Sequence, residues 1–237
     1  MLLAPPAPGG GTGIYMMENY KITNLFDLEQ TIASDFFRSA VYPWELLEGI
    51  SDYIKELGPK LDPEKYDQLG EFIWTAKNAK IAPTACLNGP LIIDEEAEIR
   101  HCAFIRGSAI VGKGAVVGNS TELKNVILFN GVQVPHYNYV GDSILGYKAH
   151  MGAGSITSNV KSDKTLVVVK DDTEKIETGR KKFGAILGDN VEVGCNSVLN
   201  PGTVIGRKSS IYPLSSVRGV IPENSIYKNA DNVVKRT

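Results

Sequence analysis

The stretch IAPTACLNGPLIIDEEAEIRHCAFIRGSAIVGKGAVVGNSTELKNVILF, residues 81–129, decides the fold. Ile81, Leu87, Ile93, Ile99, Ile105, Val111, Val117, Leu123 and Phe129 recur every sixth residue. Four positions after them stand Ala85, Leu91, Ala97, Ala103, Ala109, Ala115, Thr121 and Ile127, mostly small. A fixed period of this kind marks a solenoid. The aliphatic points inward from a short strand, the small residue fits a tight corner, and glycine or asparagine relieves the backbone there. Three such hexads make one triangular coil. Coils of this kind stack about 4.8 Å apart through parallel ladders, giving a mainly β chain folded as a parallel β-helix.

The phase tightens around Val134, Val140, Leu145 and Met151, and a second clean run follows at Leu187, Val193, Leu199, Ile205, Ile211 and Val217. Between the runs, residues 161–182 are rich in Lys, Asp, Glu and Thr, with a candidate strand at Leu166 to Val169. This loop is either a tolerated surface excursion or a segment reaching over a neighbouring subunit's site.

Upstream, residues 17–80 read as an N-terminal helical cap. Leu25, Leu28, Ile32 and Phe36 fall at helix spacing. Pro43 can open a helix whose stripe is Leu46, Leu47, Ile50, Tyr53, Ile54 and Leu57, and Gly58-Pro59 stops it. Asp62-Pro63 suits the start of another, with Tyr66, Leu69, Phe72 and Ile73 on one face. Such helices are expected to cover the open end of the solenoid; alternatively Trp44 and Trp74 form a docking surface. The expected organisation is a disordered leader over 1–16, the cap over 17–80, the β-helix over 81–227 with its inserted loop, and a tail over 228–237.

Composition narrows the function classes. The 237 residues carry a formal charge of −2, which offers no electrostatic reason to expect nucleic acid or an anionic membrane. No apolar run is long enough to span a bilayer as a helix. Cys86, Cys102 and Cys195 are dispersed and form no CxxC pair, so no disulfide framework or metal knuckle is expected and a reducing cytoplasm fits.

The chemistry gathers where charge interrupts the repeat. Arg106 and Lys124 directly follow inward aliphatics and lie three hexads apart, so they stack one coil apart. Two adjacent cations need an anion, either Glu122 or a bound phosphate. The segment Val134-Pro-His-Tyr-Asn-Tyr-Val140 reads as a repeat one residue short, a break that exposes His136 and Tyr139. Histidine titrates near neutrality and can accept a proton from an attacking amine or hydroxyl.

The stretch from Arg106 through Thr121-Glu122-Leu123-Lys124-Asn125 and Val134-Pro135-His136-Tyr137-Asn138-Tyr139-Val140-Gly141-Asp142 to Gly152-Ala153-Gly154-Ser155-Ile156-Thr157-Ser158-Asn159 resembles the acetyltransferase half of the bifunctional N-acetylglucosamine-1-phosphate uridyltransferase/glucosamine-1-phosphate acetyltransferase. The likeness covers about residues 81–225. It implies a left-handed hexapeptide β-helix, acetyl-CoA as donor, a sugar phosphate as acceptor and a homotrimer with sites between subunits. By this resemblance His136 is the general base. Arg106 and Lys124 hold the phosphate, and Glu122, Tyr139, His150, Asn159 and Lys164 line the sugar pocket. Ala153, Cys195 and Pro213 border the coenzyme. The sequence departs from the family's pattern at several of these positions. His150 replaces an asparagine, Val160 a tyrosine, Cys195 a serine and Pro213 a small residue. Lys164 follows a shortened loop, and no basic coenzyme-binding tail is evident.

Two other readings stand beside acyl transfer. One is a non-catalytic sugar-phosphate-binding or assembly module. The other is a zinc enzyme resembling γ-carbonic anhydrase, using His101, His136 and His150, although the last two stand further apart in the chain than that family's closely spaced last pair.

Overall fold

A computed structural model describes residues 18–170 and 174–236; the leader expected over 1–16 lies outside them. The chain is a parallel β-helix of about eight turns with short N-terminal helices. Leu87 pairs with Ile105 and Ile105 with Leu123, each one coil further on. The inward column of another face runs Ile93, Val111, Leu128, Leu145, Leu187 and Ile205, all fully buried.

That face is also apolar on its outside. Trp74, Ile92, Ile110, Ile127, Ile144, Ile186 and Val204 stack outward from neighbouring strands and all are buried. The helical head packs against this stack, helix Ile50–Leu57 on the strands of Ile110 and Ile127 and the turn Pro43–Leu46 on that of Ile144. It runs along this face, a correction to the expectation that it covers an open end. Phe26 and Phe37 meet Phe129 at ring-centroid distances of 4.9 and 5.0 Å. The buried carboxylate of Asp189 accepts from the backbone N–H of Asp27 at 2.7 Å and of Tyr147 at 2.8 Å. Each isoleucine so covered contributes about 1.5–3 kcal/mol. Trp44 and Trp74 are 1% and 6% exposed, so neither offers a docking surface.

The head is less regular than its spacing suggests. From Ile22 onward the helices are short, Ile22–Leu25, Ser34–Phe37 and Ile50–Leu57, joined by 3-10 turns, and helical structure in the head ends at Lys60. The helix expected after Asp62-Pro63 does not form. Tyr66–Gly70 and Ile73–Ala76 make an antiparallel hairpin instead, and Ile73–Thr75 pairs in parallel with Leu91–Ile93. Gly70 would cost such a helix about 1 kcal/mol, whereas Thr75, one hexad before Ile81, continues the solenoid phase. The β-helix therefore starts earlier than residue 81. At the other end, the expected tail contains strand Asn232–Lys235, paired antiparallel with Ser225–Asn229.

The inserted loop forms a hairpin of Val168–Lys170 and Lys175–Glu177 that folds back on its own chain. Val167 and Val169 are buried. Arg180 bonds the Glu48 carboxylate at 2.5 Å and the Glu45 carbonyl at 3.0 Å. No helix among the described residues is long and apolar enough to cross a membrane.

Candidate functional site

The face built from strands Phe104–Ile105, Glu122–Leu128, Tyr139–Leu145, Ile156–Thr157 and Val198–Leu199 is not covered by the described part of the head. It presents Phe104, Glu122, Tyr139, Ile156 and Val198 outward in one stack. The site residues lie on this face and at its two corners.

At one corner Arg106 and Lys124 stack as their spacing requires, since Ile105 pairs with Leu123. Each cation has its own carboxylate. Arg106 Nη1 lies 2.7 Å from Glu122 Oε1, and Lys124 Nζ lies 3.2 Å from Asp142 Oδ2. Two positive and two negative groups make the cluster neutral overall. Asp142 is only 4% exposed, and a buried carboxylate is sustained by the donors around it. Asn125 Nδ2 donates to it at 2.9 Å and Asn159 Nδ2 at 2.5 Å. Asn159 Nδ2 also donates to the Tyr139 hydroxyl at 3.3 Å. Burial, aided by the charges of Asp142 and Glu122, raises the Tyr139 phenol above its ordinary value, so the group stays protonated and can donate.

The short step of the repeat falls at this corner. Leu128, not Phe129, aligns with Val111 and Leu145; Phe129 points into the helical head. The corner Arg106-Gly107-Ser108 is followed one coil later by Lys124-Asn125 alone, and then by Gly141-Asp142. Val134 to Val140 is a regular hexad, which corrects the reading of a break at His136. Asn125 and Asp142, second in these short corners, lie in the left-handed region at φ 57° and 48°, as Ser108 does at 53° in the longer corner. Asn and Asp tolerate that region better than most side chains.

His136 stands at the opposite corner, at the end of strand Gln133–His136, and is exposed. Its backbone N–H donates to Asn138 Oδ1 at 3.1 Å. Asn138 is buried and its Nδ2 donates to the carbonyls of Gly152 and Ser155 at 2.9 and 3.0 Å. This asparagine fixes the turn from which the imidazole projects. Ala153, Cys195 and Pro213 stack along the same corner. The Gly154 N–H bonds the His136 carbonyl at 3.0 Å, Asn196 that of Ala153 at 2.8 Å and Leu214 that of Cys195 at 2.9 Å. Along this column Tyr137 and Leu214 also adopt left-handed backbone, at φ 52° and 60°, and are 64% and 79% exposed.

The structure thus places Arg106, Glu122, Lys124, Tyr139 and Asn159 in one cluster and His136, Ala153, Cys195 and Pro213 in a column across the same face. His150 and Lys164 join neither. His150 lies on the adjacent face, its Nδ1 2.8 Å from Glu192 Oε2, and Lys164 sits in an exposed turn of the insertion. His101 Nδ1 bonds Thr84 at 2.9 Å, so the three histidines do not converge. No group of three His, Cys, Asp or Glu among the described residues is placed to hold a metal. Asp142 and Asn125 carry no role in the sequence reading. Their signal is positional, since each stands second after an inward aliphatic, Val140 and Leu123.

Stacked three-hexad coils carrying this charged corner define a hexapeptide-repeat β-helix protein. The chain belongs to the family described as the GMPPB C-terminal domain, which matches residues 87–231. Among curated proteins it is 32% identical over 257 aligned residues to "Bifunctional protein GlmU" of Methanococcus aeolicus, covering 94% of this chain and 60% of that one. It is 29% identical over 178 residues to "Bifunctional sugar-1-phosphate nucleotidylyltransferase/acetyltransferase" of Sulfurisphaera tokodaii, covering 68% of this chain and 44% of the relative. The chain therefore spans about half the length of these relatives. Among solved structures, a hexapeptide transferase family protein from Anaplasma phagocytophilum aligns at 15% identity with a TM-score of 0.44, covering 69% of this chain and 78% of that one.

Proposed function

We propose that the chain transfers an acetyl group from acetyl-CoA to the amine of a phosphorylated or nucleotide-linked amino sugar, as a homotrimer in the cytoplasm. The observation that carries this reading is the arrangement of one open face. Arg106 and Lys124 stand at one edge, and the His136 imidazole stands at the other at the head of the Ala153–Cys195–Pro213 column. The curated relatives named for sugar-1-phosphate and acetyl transfer support it.

In this reading Arg106 and Lys124 hold the phosphate, the phosphate displacing part of their pairing with Glu122 and Asp142. Tyr139 donates its hydroxyl to the sugar. His136 accepts the amine proton as the nitrogen attacks the thioester carbonyl. The carbon–sulfur bond breaks, and His136 returns the proton to the departing thiolate. Acetyl-CoA supplies the activated acyl carbon. The small side chains of the half-buried Ala153 and the exposed Cys195 leave the corner clear for an extended thioester arm. Ligand sites are concave, yet this face is open in a single chain, so a second copy completes the pocket. The exposed Tyr137 and Leu214 on the same corner column supply apolar surface for it. The three exposed thiols suit a reducing compartment.

A second reading, a non-catalytic sugar-phosphate-binding module, is favoured by the neutral charge of the Arg106–Glu122–Lys124–Asp142 cluster and by Cys195 and Pro213 in the coenzyme column. Thiol release from acetyl-CoA with glucosamine 1-phosphate as acceptor distinguishes the two. The acyltransferase reading expects release that requires the amino sugar. Calorimetric binding of the sugar phosphate with no binding of coenzyme A would leave only the second. Sedimentation equilibrium tests the trimer, and a monomer at micromolar concentration would remove the shared pocket.

A further inference from the structure

We infer that Asp142 is a positioning residue that sets the direction of Lys124 and Asn159 toward the ligand; the inference rests on the sugar-phosphate site proposed above. Both carboxylate oxygens are engaged. Oδ1 accepts from Asn125 at 2.9 Å and Oδ2 from Asn159 at 2.5 Å, while Lys124 Nζ lies 3.4 and 3.2 Å from the two. Lysine is a point charge on a flexible four-carbon stem, and this buried anchor fixes where the stem ends.

The two amides are constrained in the same way. Asn159 Nδ2 spends its two N–H groups on Asp142 and the Tyr139 hydroxyl, which leaves Oδ1 as the acceptor available to a ligand. Asn125 Nδ2 spends its pair on Asp142 and the Leu47 carbonyl, the latter at 2.9 Å. A line of hydrogen bonds therefore runs from the helical head through Asn125 and Asp142 to the ligand-facing side chains. The backbone suits the residue type, because φ at Asp142 is 48°, a region that Asp and Asn tolerate.

Asp142→Asn tests this directly, since asparagine keeps both the size and the left-handed backbone. It removes the charge and turns an N–H toward groups that are already donors. With glucosamine 1-phosphate as probe, calorimetric affinity is expected to weaken about tenfold or more, as losing hydrogen bonds to a charged partner does. KM for the sugar should rise in step and kcat change less than about threefold, the pattern of lost ground-state binding. A purely structural role would instead lower the active fraction, and so kcat, at constant KM. Asn125→Gly, which preserves the backbone and removes the amide, is the second variant, with an expected loss of about threefold. If wild type binds the probe and a folded Asp142→Asn binds it equally well, Asp142 has no positioning role while the site itself stands. Should Asp142→Asn fail to fold, unchanged affinity in Asn125→Gly overturns the inference. No binding by wild type overturns both the site and the inference.

Discussion

Two neighbouring faces of the same coils share an inward column of aliphatics and differ in what they turn outward. The covered face shows Ile92, Ile110, Ile127, Ile144 and Ile186, and the helical head lies across them. The open face shows Phe104, Glu122, Tyr139, Ile156 and Val198, and no part of the described head covers it. The inward residues make the solenoid, whereas the outward residues decide whether a face binds the protein's own chain or is left for a ligand and a second copy. Substitutions should therefore divide cleanly, costing stability on one face and function on the other.

The largest expected effect lies at the edge of the open face. His136→Ala should lower kcat about a hundredfold or more while leaving the thermal midpoint unchanged, because an exposed general base supports the proton transfer and no packing. A loss of folding in this variant would break the division between faces. On the covered face, Ile144→Ala should destabilise by about 2–5 kcal/mol in urea unfolding, through lost burial and the cavity left behind. Its kcat per folded molecule should not change. Asn138→Ala sharpens the boundary between the two outcomes. It removes the side-chain donor to the buried Ser155 carbonyl and one of the donors to that of Gly152, at the base of the His136 turn, so it should cost about 1–3 kcal/mol and also lower kcat.

The smallest effect is a pH dependence. Burial and the bond to Asp94 push the Tyr66 phenol well above its ordinary value, and burial raises Tyr139 and Tyr53 as well. The native state thus keeps these protons when the unfolded chain has begun to lose them, near pH 10. The stability they contribute is complete below that pH and is lost as pH rises toward the folded values. Tyr66→Phe should flatten the alkaline fall in unfolding free energy, and an unaltered slope would contradict the assignment to this phenol.

The coil phase is legible in the sequence because only inward aliphatics satisfy a period of six, and that phase also places Arg106 beside Lys124. The phase slips by one position at Phe129. The hexad count cannot tell a shortened corner from a continuing strand when both Leu128 and Phe129 are apolar. The same ambiguity moves the apparent break to His136. The helical head is expected at an end because its amphipathic stripe reveals that it covers something, not what it covers. The outward isoleucines at Ile92, Ile110, Ile127 and Ile144 carry that information, at the residue just before each inward aliphatic of one face. Asp142 stays hidden because its role depends on burial beside Lys124, which arises only once the coils stack. His150 and Lys164 rest on resemblance alone, and one chain brings neither to the cluster.

The most direct measurement is a crystal structure of the protein with coenzyme A and glucosamine 1-phosphate. The account expects the phosphate on Arg106 and Lys124, and the sugar nitrogen within about 3.5 Å of both the coenzyme sulfur and the His136 imidazole. An anion bound away from that face, for example in the cleft of about 870 Å³ beside Arg218, Tyr227 and Lys235, with His136 facing solvent, would contradict it.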